Sequence, residues 1–154
     1  VGVKTRFIEL AGEVNQSMPE YVVHIVFKAL NAAEKSIRSS RILILGLAYK
    51  SNVDDTRESP SLELIELLAK EGANIDYFDP HVDTIPKMRK YRDLSGKKSV
   101  EWNEELVRGF DLVLVSTAHD SVDYQELGQW AKVVVDTRNA MSEVTGATAQ
   151  IYPA

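Results

Sequence analysis

The chain has 154 residues, enough to bury a core without disulfides or metals. Its formal net charge of −5 at pH 7 argues against a general attraction to nucleic acid or to an anionic membrane, so any anionic ligand has to be bound by a few locally placed cations. It contains no cysteine, which excludes disulfides, thiolate metal sites and a thiol nucleophile among these residues. No apolar run approaches the roughly 20 residues of a membrane span, and the first residues do not resemble a signal peptide, so we expect a cytoplasmic protein.

The first part of the chain is predicted to be helical. An apolar pattern of helical period over residues 1–18 is interrupted by Pro19, where a second helix is predicted to begin with Ser17 as its cap. The following apolar side chains recur at spacings of three and four residues: Val22, Ile25, Val26, Ala29, Leu30, Ala33 and Ile37. This spacing predicts a buried helical stripe as far as residue 37, followed by a short polar linker.

Strands and helices alternate in the rest of the chain. Continuous apolar runs predict buried strands, and Ser59 followed by Pro60 predicts a helix start, with Gly72 as its end. The predicted strands are 42–45, 74–78, 112–116 and 133–136, the predicted helices begin at residue 60 and cover 103–108 and 124–130, and residues 85–98 are predicted to be irregular. This alternation predicts an α/β fold, a Rossmann-like doubly wound parallel sheet preceded by a helical segment.

Three cations fall in loops at the carboxyl ends of the predicted strands, where ligands bind in sheets of this kind. They are Lys50, Arg57 and Arg138, and we expect them to face a common cleft. Ammonium and guanidinium groups in fixed loops provide the charge-assisted bonds that a diphosphate requires. The ring of Tyr49 is a candidate wall for a base or a sugar. A second interpretation stays open, in which two of the cations form ion pairs in a solvated loop.

That second interpretation rests on nearby carboxylates. Lys50 and Arg57 are close in sequence to Asp54, Asp55 and Glu58, and surface ion pairs are common and weak. Loop and cap chemistry explains the adjacent aspartates better than acid–base catalysis does. On these residues alone, both the ligand site and the ion-pair network are consistent with the sequence.

An NAD site within this sheet is only weakly indicated. Asp79 follows a predicted strand, as the acidic residue that binds a dinucleotide ribose does, but Gly46 begins no glycine-rich fingerprint. The three histidines, His24, His81 and His119, share no metal-ligand spacing, so we predict structural roles for them and no metal site.

The segment from residue 46 to residue 61, GLAYKSNVDDTRESPS, resembles the C-terminal domain of the UDP-glucose/GDP-mannose dehydrogenase family. The resemblance continues in Asp-Pro at 79–80, Thr-Ala-His at 117–119 and Val-Asp-Thr-Arg-Asn at 135–139. Upstream, residues 5–19 resemble the central helical segment of the same family. Together, the segments that resemble the family extend over essentially the whole chain.

This resemblance implies a reaction and a domain organisation. Members of the family oxidise the C6 hydroxyl of a nucleotide sugar to a carboxylate, use two NAD⁺, and form a thiohemiacetal on a catalytic cysteine. An N-terminal Rossmann domain holds NAD, a central helical region builds a homodimer, and the C-terminal domain binds the UDP-sugar. Residues 1–38 would then belong to the central dimerisation segment and residues 39–154 to the UDP-sugar-binding domain.

The resemblance also implies roles for individual residues. Tyr49 and Lys50 match positions that contact the UDP-sugar, and Arg138 matches an arginine that reaches the substrate. Arg57 matches an arginine that crosses the domain cleft toward NAD, and Arg6 lies near the substrate-side helical segment. The NAD fingerprint and the cysteine of the family lie N-terminal to the matched segment. We therefore expect no catalytic residue here, NAD held mainly by a domain outside the chain, and an engineered or natural truncation that is inactive alone.

The function expected from the resemblance is that of a UDP-N-acetylhexosamine 6-dehydrogenase of bacterial polysaccharide synthesis. The UDP-N-acetylglucosamine branch is the first expectation, with UDP-N-acetylmannosamine and UDP-glucose after it. Two other classes stay open on the sequence: a non-catalytic module that binds nucleotide or dimerises, and an NAD-binding Rossmann protein with a degenerate loop.

Overall fold

The structure is a computed structural model that describes residues 18–154. Three predictions, the helical pattern of residues 1–17, the capping role of Ser17 and the position of Arg6, lie outside the described residues. The assignment of residues 1–38 to a separate dimerisation segment stays a prediction.

A parallel sheet of five strands forms the centre of the described chain. The strands are β1 (Arg41–Leu45), β2 (Asn74–Phe78), β3 (Leu112–Val115), β4 (Val133–Asp136) and β5 (Gln150–Pro153). Their spatial order is β2-β1-β3-β4-β5, and every neighbouring pair is parallel. The chain reverses its direction of winding between β1 and β3, which makes that position the switch point of a doubly wound sheet. The predicted Rossmann-like α/β class is confirmed.

Helices cover both faces of the sheet. They are α1 (18–32), α2 (Pro60–Lys70), α3 (Glu104–Arg108) and α4 (Tyr124–Trp130), with a 3-10 turn at Arg92–Leu94. Because side chains alternate along a strand, Ile42 and Ile44 pack with α1 and α2, whereas Leu43 and Leu45 pack with α3 and α4. Both faces are therefore apolar, as the continuous hydrophobic runs predicted. No helix within residues 18–154 is long and apolar enough to cross a bilayer.

Helix α2 begins where the sequence predicts. The Ser59 hydroxyl accepts a hydrogen bond from the Ser61 N–H, and Pro60 occupies the first helical position. Gly72 follows the end of the helix with φ of +92°, a conformation that glycine adopts at little cost.

Helix α1 ends earlier than predicted. Its last helical residue is 32, so the stripe expected to reach residue 37 is too long, although Ile37 is buried from a non-helical segment. Glu34 adopts a left-handed φ of 59°; its N–H donates to the Asn31 oxygen at 3.0 Å, and the Lys35 N–H donates to the Leu30 oxygen at 2.9 Å. This is a Schellman termination without the glycine that normally marks it, which is why the pattern did not show the end.

Strand β5 was not predicted. It lies at the sheet edge, pairs with β4 only, and leaves Ile151 exposed, so it has none of the continuous burial of the central strands. Proline within it is compatible with an edge strand, which has one free side. An apolar-run criterion detects strands that are covered on both faces and misses a strand of this type.

Candidate functional site

The loops that follow β1 and β3 fill the switch point of the sheet. Gly46 has φ of +89°, and a Cβ atom there would lie 2.1 Å from the backbone oxygen of Thr117. The Thr117 hydroxyl in turn donates to the Ala48 oxygen at 2.7 Å. The glycine therefore allows the loops after β1 and β3 to approach each other closely, where any larger residue would clash with the Thr117 backbone.

The start of α2 is joined to the same loops. The Ser61 hydroxyl lies 2.5 Å from the Ser116 hydroxyl and donates to the Gly46 oxygen at 3.1 Å. The Ser59 hydroxyl donates to the Leu47 oxygen at 2.7 Å. The serines that the sequence predicts as a helix cap thus also fix the loop after β1.

Asp79, at the end of β2, is a buried anchor for that loop. Its Oδ2 accepts from the N–H of Leu47 at 2.7 Å and from the N–H of Ala48 at 3.0 Å. The other oxygen accepts from the His81 N–H at 2.7 Å. Burial by itself raises the pKa of Asp79, but the bonds from these N–H groups and from His119 hold that pKa below its ordinary value. Asp79 is 2% exposed, and both of its carboxylate oxygens hold loops of the protein itself.

His119 connects this anchor to the far end of the loop. Its side chain is fully buried, and Nδ1 accepts a hydrogen bond from the Asn52 N–H at 2.8 Å. The ring proton is therefore assigned to Nε2, which donates to Asp79 Oδ2 at 2.8 Å. Asn52 also exchanges two bonds of 2.9 Å with Asp120. Residues 46–52 are thus fixed at both ends, and both ring nitrogens of His119 take part in fixing them.

Tyr49 and Lys50 lie at the tip of the fixed loop. Both side chains are exposed, Tyr49 to 50%. The Tyr49 N–H donates to the Asp55 oxygen at 2.6 Å, which connects the tip to the next turn. Within residues 18–154, no carboxylate lies within ion-pair distance of Lys50. Its ammonium group is therefore unneutralised by the described part of the chain.

Arg57 forms the loop ion pair that the sequence left open. Its Nε and one terminal nitrogen donate to the two oxygens of Asp55 at 3.1 and 2.9 Å. The bonded guanidinium lowers the pKa of Asp55 to about 2. The Arg57 side chain is 85% exposed, so this pair contributes little to stability. Its predicted role toward a cofactor stays a prediction.

Arg138 is positioned by the end of β4. The buried Asp136 accepts from the N–H groups of Arg138, Ala140 and Met141 at 3.0, 3.1 and 2.9 Å, which fixes the turn. The Arg138 Nε donates to the Ser116 oxygen at 2.8 Å. One guanidinium N–H is therefore used internally, and four remain.

A cavity of about 240 Å³ lies beside Arg138. It is lined by Met18, Pro19, Val22, Pro60, Leu64, Ser116, Thr137 and Arg138. Tyr49 and Lys50 belong to the same edge of the sheet but do not line this cavity. The described residues therefore bring the predicted cations to one edge of the sheet, and Arg138 alone of them lines this cavity.

The anchoring roles of Asp79 and Asp136 were not predicted from the sequence. Each is a carboxylate at the carboxyl end of a parallel strand, an edge where the N–H groups of the loops need acceptors. Aspartate side chains often accept hydrogen bonds from N–H groups a few residues later in the chain. The role of Asp136 could have been predicted from that local preference. Contacts of Asp79 with residues more than 30 positions away leave no such local signal.

Comparison with known proteins agrees with the motifs. The family "UDP-glucose/GDP-mannose dehydrogenase family, UDP binding domain" matches residues 43–143. The UDP-N-acetyl-D-mannosamine dehydrogenase of Methanococcus maripaludis (strain C7) is 35% identical over 144 residues, which cover 88% of this chain and 31% of the relative. The structure of the UDP-D-ManNAc dehydrogenase from Pyrococcus horikoshii has a TM-score of 0.73 at 28% identity, covering 94% of this chain and 32% of that one.

A second solved structure shows the same relation. The NDP-N-acetyl-D-galactosaminuronic acid dehydrogenase from Methanosarcina mazei Go1 has a TM-score of 0.73 at 26% identity and covers 94% of this chain and 30% of its own. The chain thus spans about a third of the length of these relatives. The matched region includes both loops that carry Lys50 and Arg138. This chain belongs to the UDP-glucose/GDP-mannose dehydrogenase family and carries its UDP binding domain.

Proposed function

We propose that residues 39–154 bind the UDP part of a nucleotide sugar at the carboxyl edge of the sheet, as one domain of an NAD-dependent dehydrogenase that oxidises the sugar C6 hydroxyl to a carboxylate. The observation that carries this proposal is the loop of residues 46–52. It is fixed by the buried Asp79–His119 pair and presents Lys50 without a carboxylate partner in the described chain. Family membership supplies the substrate class.

The chemistry of this edge suits a diphosphate. Lys50 forms no ion pair within residues 18–154, so no internal contact of its ammonium group has to break before it binds a phosphate. Arg138 keeps four guanidinium N–H groups for a bidentate contact, while its bond to Ser116 restricts its position. The half-exposed ring of Tyr49 provides an apolar surface for the base or the sugar.

NAD would be held mainly by a domain outside these residues. Two features support this: Gly46 begins no glycine-rich fingerprint, and both oxygens of the buried Asp79 accept bonds from N–H groups of the protein's own loops. Arg57 is the residue proposed to reach the cofactor. Its ion pair with Asp55 is highly exposed and therefore weak, so a phosphate can replace the carboxylate at small cost.

We propose a UDP-N-acetylhexosamine as the substrate. The motifs first suggested the N-acetylglucosamine branch, whereas several relatives are named as UDP-N-acetyl-D-mannosamine dehydrogenases and others as NDP-N-acetyl-D-galactosaminuronic acid dehydrogenases. These names favour N-acetylmannosamine over N-acetylglucosamine and UDP-glucose. A homodimer built through residues 1–38 and a cytoplasmic location belong to the same proposal.

The test replaces Lys50 by alanine in the 154-residue chain. UDP affinity is measured from the amide NMR signals of residues 47–52 and 137–140. The binding free energy is expected to become less favourable by about 1–3 kcal/mol, because a charged hydrogen bond to phosphate is lost. Binding by the unmodified chain is itself expected to be weak, since the remainder of the site lies on other domains. Lys132→Ala is the matched control, because Lys132 is exposed and precedes β4 at the opposite edge. Equal UDP affinity for the Lys50 variant and the control would contradict the proposal.

A further inference from the structure

Residues 84–98, here called the basic loop, concentrate positive charge in an acidic protein. The chain has 18 lysines and arginines against 23 aspartates and glutamates. Only one of those acids, Asp93, falls in the basic loop. The loop contains six of the cations: Lys87, Arg89, Lys90, Arg92, Lys97 and Lys98. A local excess opposite in sign to the whole chain attracts anions that the rest of the surface repels.

The ends of the basic loop are paired. Thr84 and Lys98 form an isolated antiparallel bridge. Inside it, the Ile85 N–H donates to the Lys97 oxygen at 2.9 Å, and the Gly96 N–H donates to the Ile85 oxygen at 2.9 Å. The segment that the sequence predicts as irregular is therefore a compact closed loop, a class that is frequently functional.

The base of the basic loop is anchored in the core. The buried Tyr77 hydroxyl of β2 lies 3.0, 3.1 and 3.2 Å from the carbonyl oxygens of Val82, Asp83 and Lys97. Ile85 is buried, and Met88 and Leu94 pack against the same apolar cluster. The cations are thus carried by a loop whose conformation is fixed before any ligand binds, which lowers the entropy cost of binding.

The backbone of the basic loop also contains an unusual conformation. Tyr91 has φ of 61°, in the left-handed region that a bulky residue rarely adopts. It lies between Arg89 and Arg92 and precedes the 3-10 turn that begins at Arg92. A strained backbone conformation of this kind persists only where contacts with the surrounding structure hold it in place. Loops that bind ligands are among the places where such conformations are found.

A cavity of about 960 Å³ opens within the basic loop. Its lining comprises Thr84, Ile85, Pro86, Lys87, Met88, Arg89, Arg92, Ser95 and Gly96. Within residues 18–154, no carboxylate forms an ion pair with Lys87, Arg89 or Arg92. A neighbouring cavity shares Met88 and Arg89 but is also lined by Glu58 and Glu63, which reduce its attraction for anions. The first cavity therefore combines three unneutralised cations with an apolar floor.

We propose that the basic loop binds a small molecule carrying a pyrophosphate group, through Lys87, Arg89 and Arg92. Two guanidinium groups and an ammonium match the charge and the several oxygens of a diphosphate. Pro86 and Met88 contact the organic part of the molecule. This site shares no residue with the edge that carries Lys50 and Arg138, so it stands or falls independently of the proposed function.

The test follows amide NMR signals of the 154-residue chain during titration with inorganic pyrophosphate at constant ionic strength. Saturable shifts are expected for residues 84–96. In Arg89→Gln/Arg92→Gln, affinity at these signals is expected to fall at least tenfold, while shifts of residues 47–52 with UDP are unchanged. Both arginines are exposed, so the fold should be retained, and unaltered signals of the central strands check this. Lys28→Gln/Lys132→Gln is the control with the same change in charge, also at exposed positions.

Two results would overturn the proposal. One is the absence of saturable shifts in residues 84–96 at any pyrophosphate concentration that the protein tolerates. The other is an equal loss of affinity in the control variant, which would show diffuse charge attraction instead of a site. Where pyrophosphate does bind, UDP and NAD are titrated in separate experiments. The ligand that shifts the signals of residues 84–96 more strongly identifies the organic group that accompanies the pyrophosphate.

Discussion

Asp79 follows β2 and Asp136 ends β4, and each carboxylate binds the backbone N–H groups of a loop at the same edge of the sheet. Charge-assisted bonds to several N–H groups stabilise a carboxylate against the cost of burial. The result is that exposed side chains such as Lys50 and Arg138 are carried by backbone that a buried anion holds in position. Residues that contact no ligand thereby determine where the candidate ligand-binding residues lie.

Replacing Asp79 by asparagine is expected to destabilise the fold by about 3 kcal/mol at pH 7, because an amide places its own donor among N–H groups and the bond to His119 loses its charge. The pKa of Asp79 is lower in the folded than in the unfolded chain. Its stabilising contribution is therefore present above about pH 4 and is lost as the pH falls through the folded-state value.

Urea denaturation of the wild type and Asp79→Asn at pH 7 and pH 3 measures this effect. The difference in unfolding free energy is expected to shrink at the lower pH. Asp54→Asn is the control, since Asp54 is exposed. A difference for Asp79→Asn that is the same at both pH values would show that its carboxylate charge is not what stabilises the loop.

At the scale of elements, some strands, helices and loops can be predicted from the sequence and others cannot. Strands β1, β3 and β4 follow from short apolar runs, and α2 follows from its cap and proline, because those signals are local. The exposed edge strand β5 and the glycine-free end of α1 carry no such signal. The anchoring of the basic loop by Tyr77 also depends on a contact across 20 residues, to Lys97, which no periodicity shows.

Replacing Tyr77 by phenylalanine tests that anchor. The loss of the single hydroxyl donor that the carbonyl oxygens of Val82, Asp83 and Lys97 share is expected to destabilise the chain by about 1–3 kcal/mol and to speed hydrogen exchange at the amides of Ile85 and Gly96. Tyr21→Phe, on the exposed side of α1, is the control. Exchange rates in the basic loop that do not differ between the two variants would contradict the anchoring role.

The same variant should alter stability at alkaline pH. Burial raises the pKa of Tyr77 to about 12, so the unfolded chain releases this proton near pH 10, before the folded chain does. The contribution of Tyr77 is therefore complete below pH 10 and declines as the pH rises toward 12. Tyr77→Phe should lose less stability than the wild type over that interval.

At the scale of the whole molecule, the family and the fold were accessible from sequence, and the ligand-binding geometry was accessible only in part. The motif around Lys50 and the Thr-Arg-Asn segment at 137–139 identify a UDP binding domain, and the family match agrees. Lys50 and Arg138 lie at the same edge of the sheet, and their contact with one common ligand stays a prediction, since the cavity beside Arg138 is not lined by Lys50. The chain spans about a third of the length of the relatives that it matches.

The central claim is that the edge formed by the loops after β1 and β4 recognises UDP and not NAD. The most direct measurement is a pair of separate NMR titrations of the 154-residue chain with UDP and with NAD, followed at the amides of residues 47–52 and 137–140. UDP is predicted to shift both sets of signals saturably, and NAD is predicted to leave both unchanged. Shifts of equal size with NAD, or no shift in either set with UDP, would contradict the account.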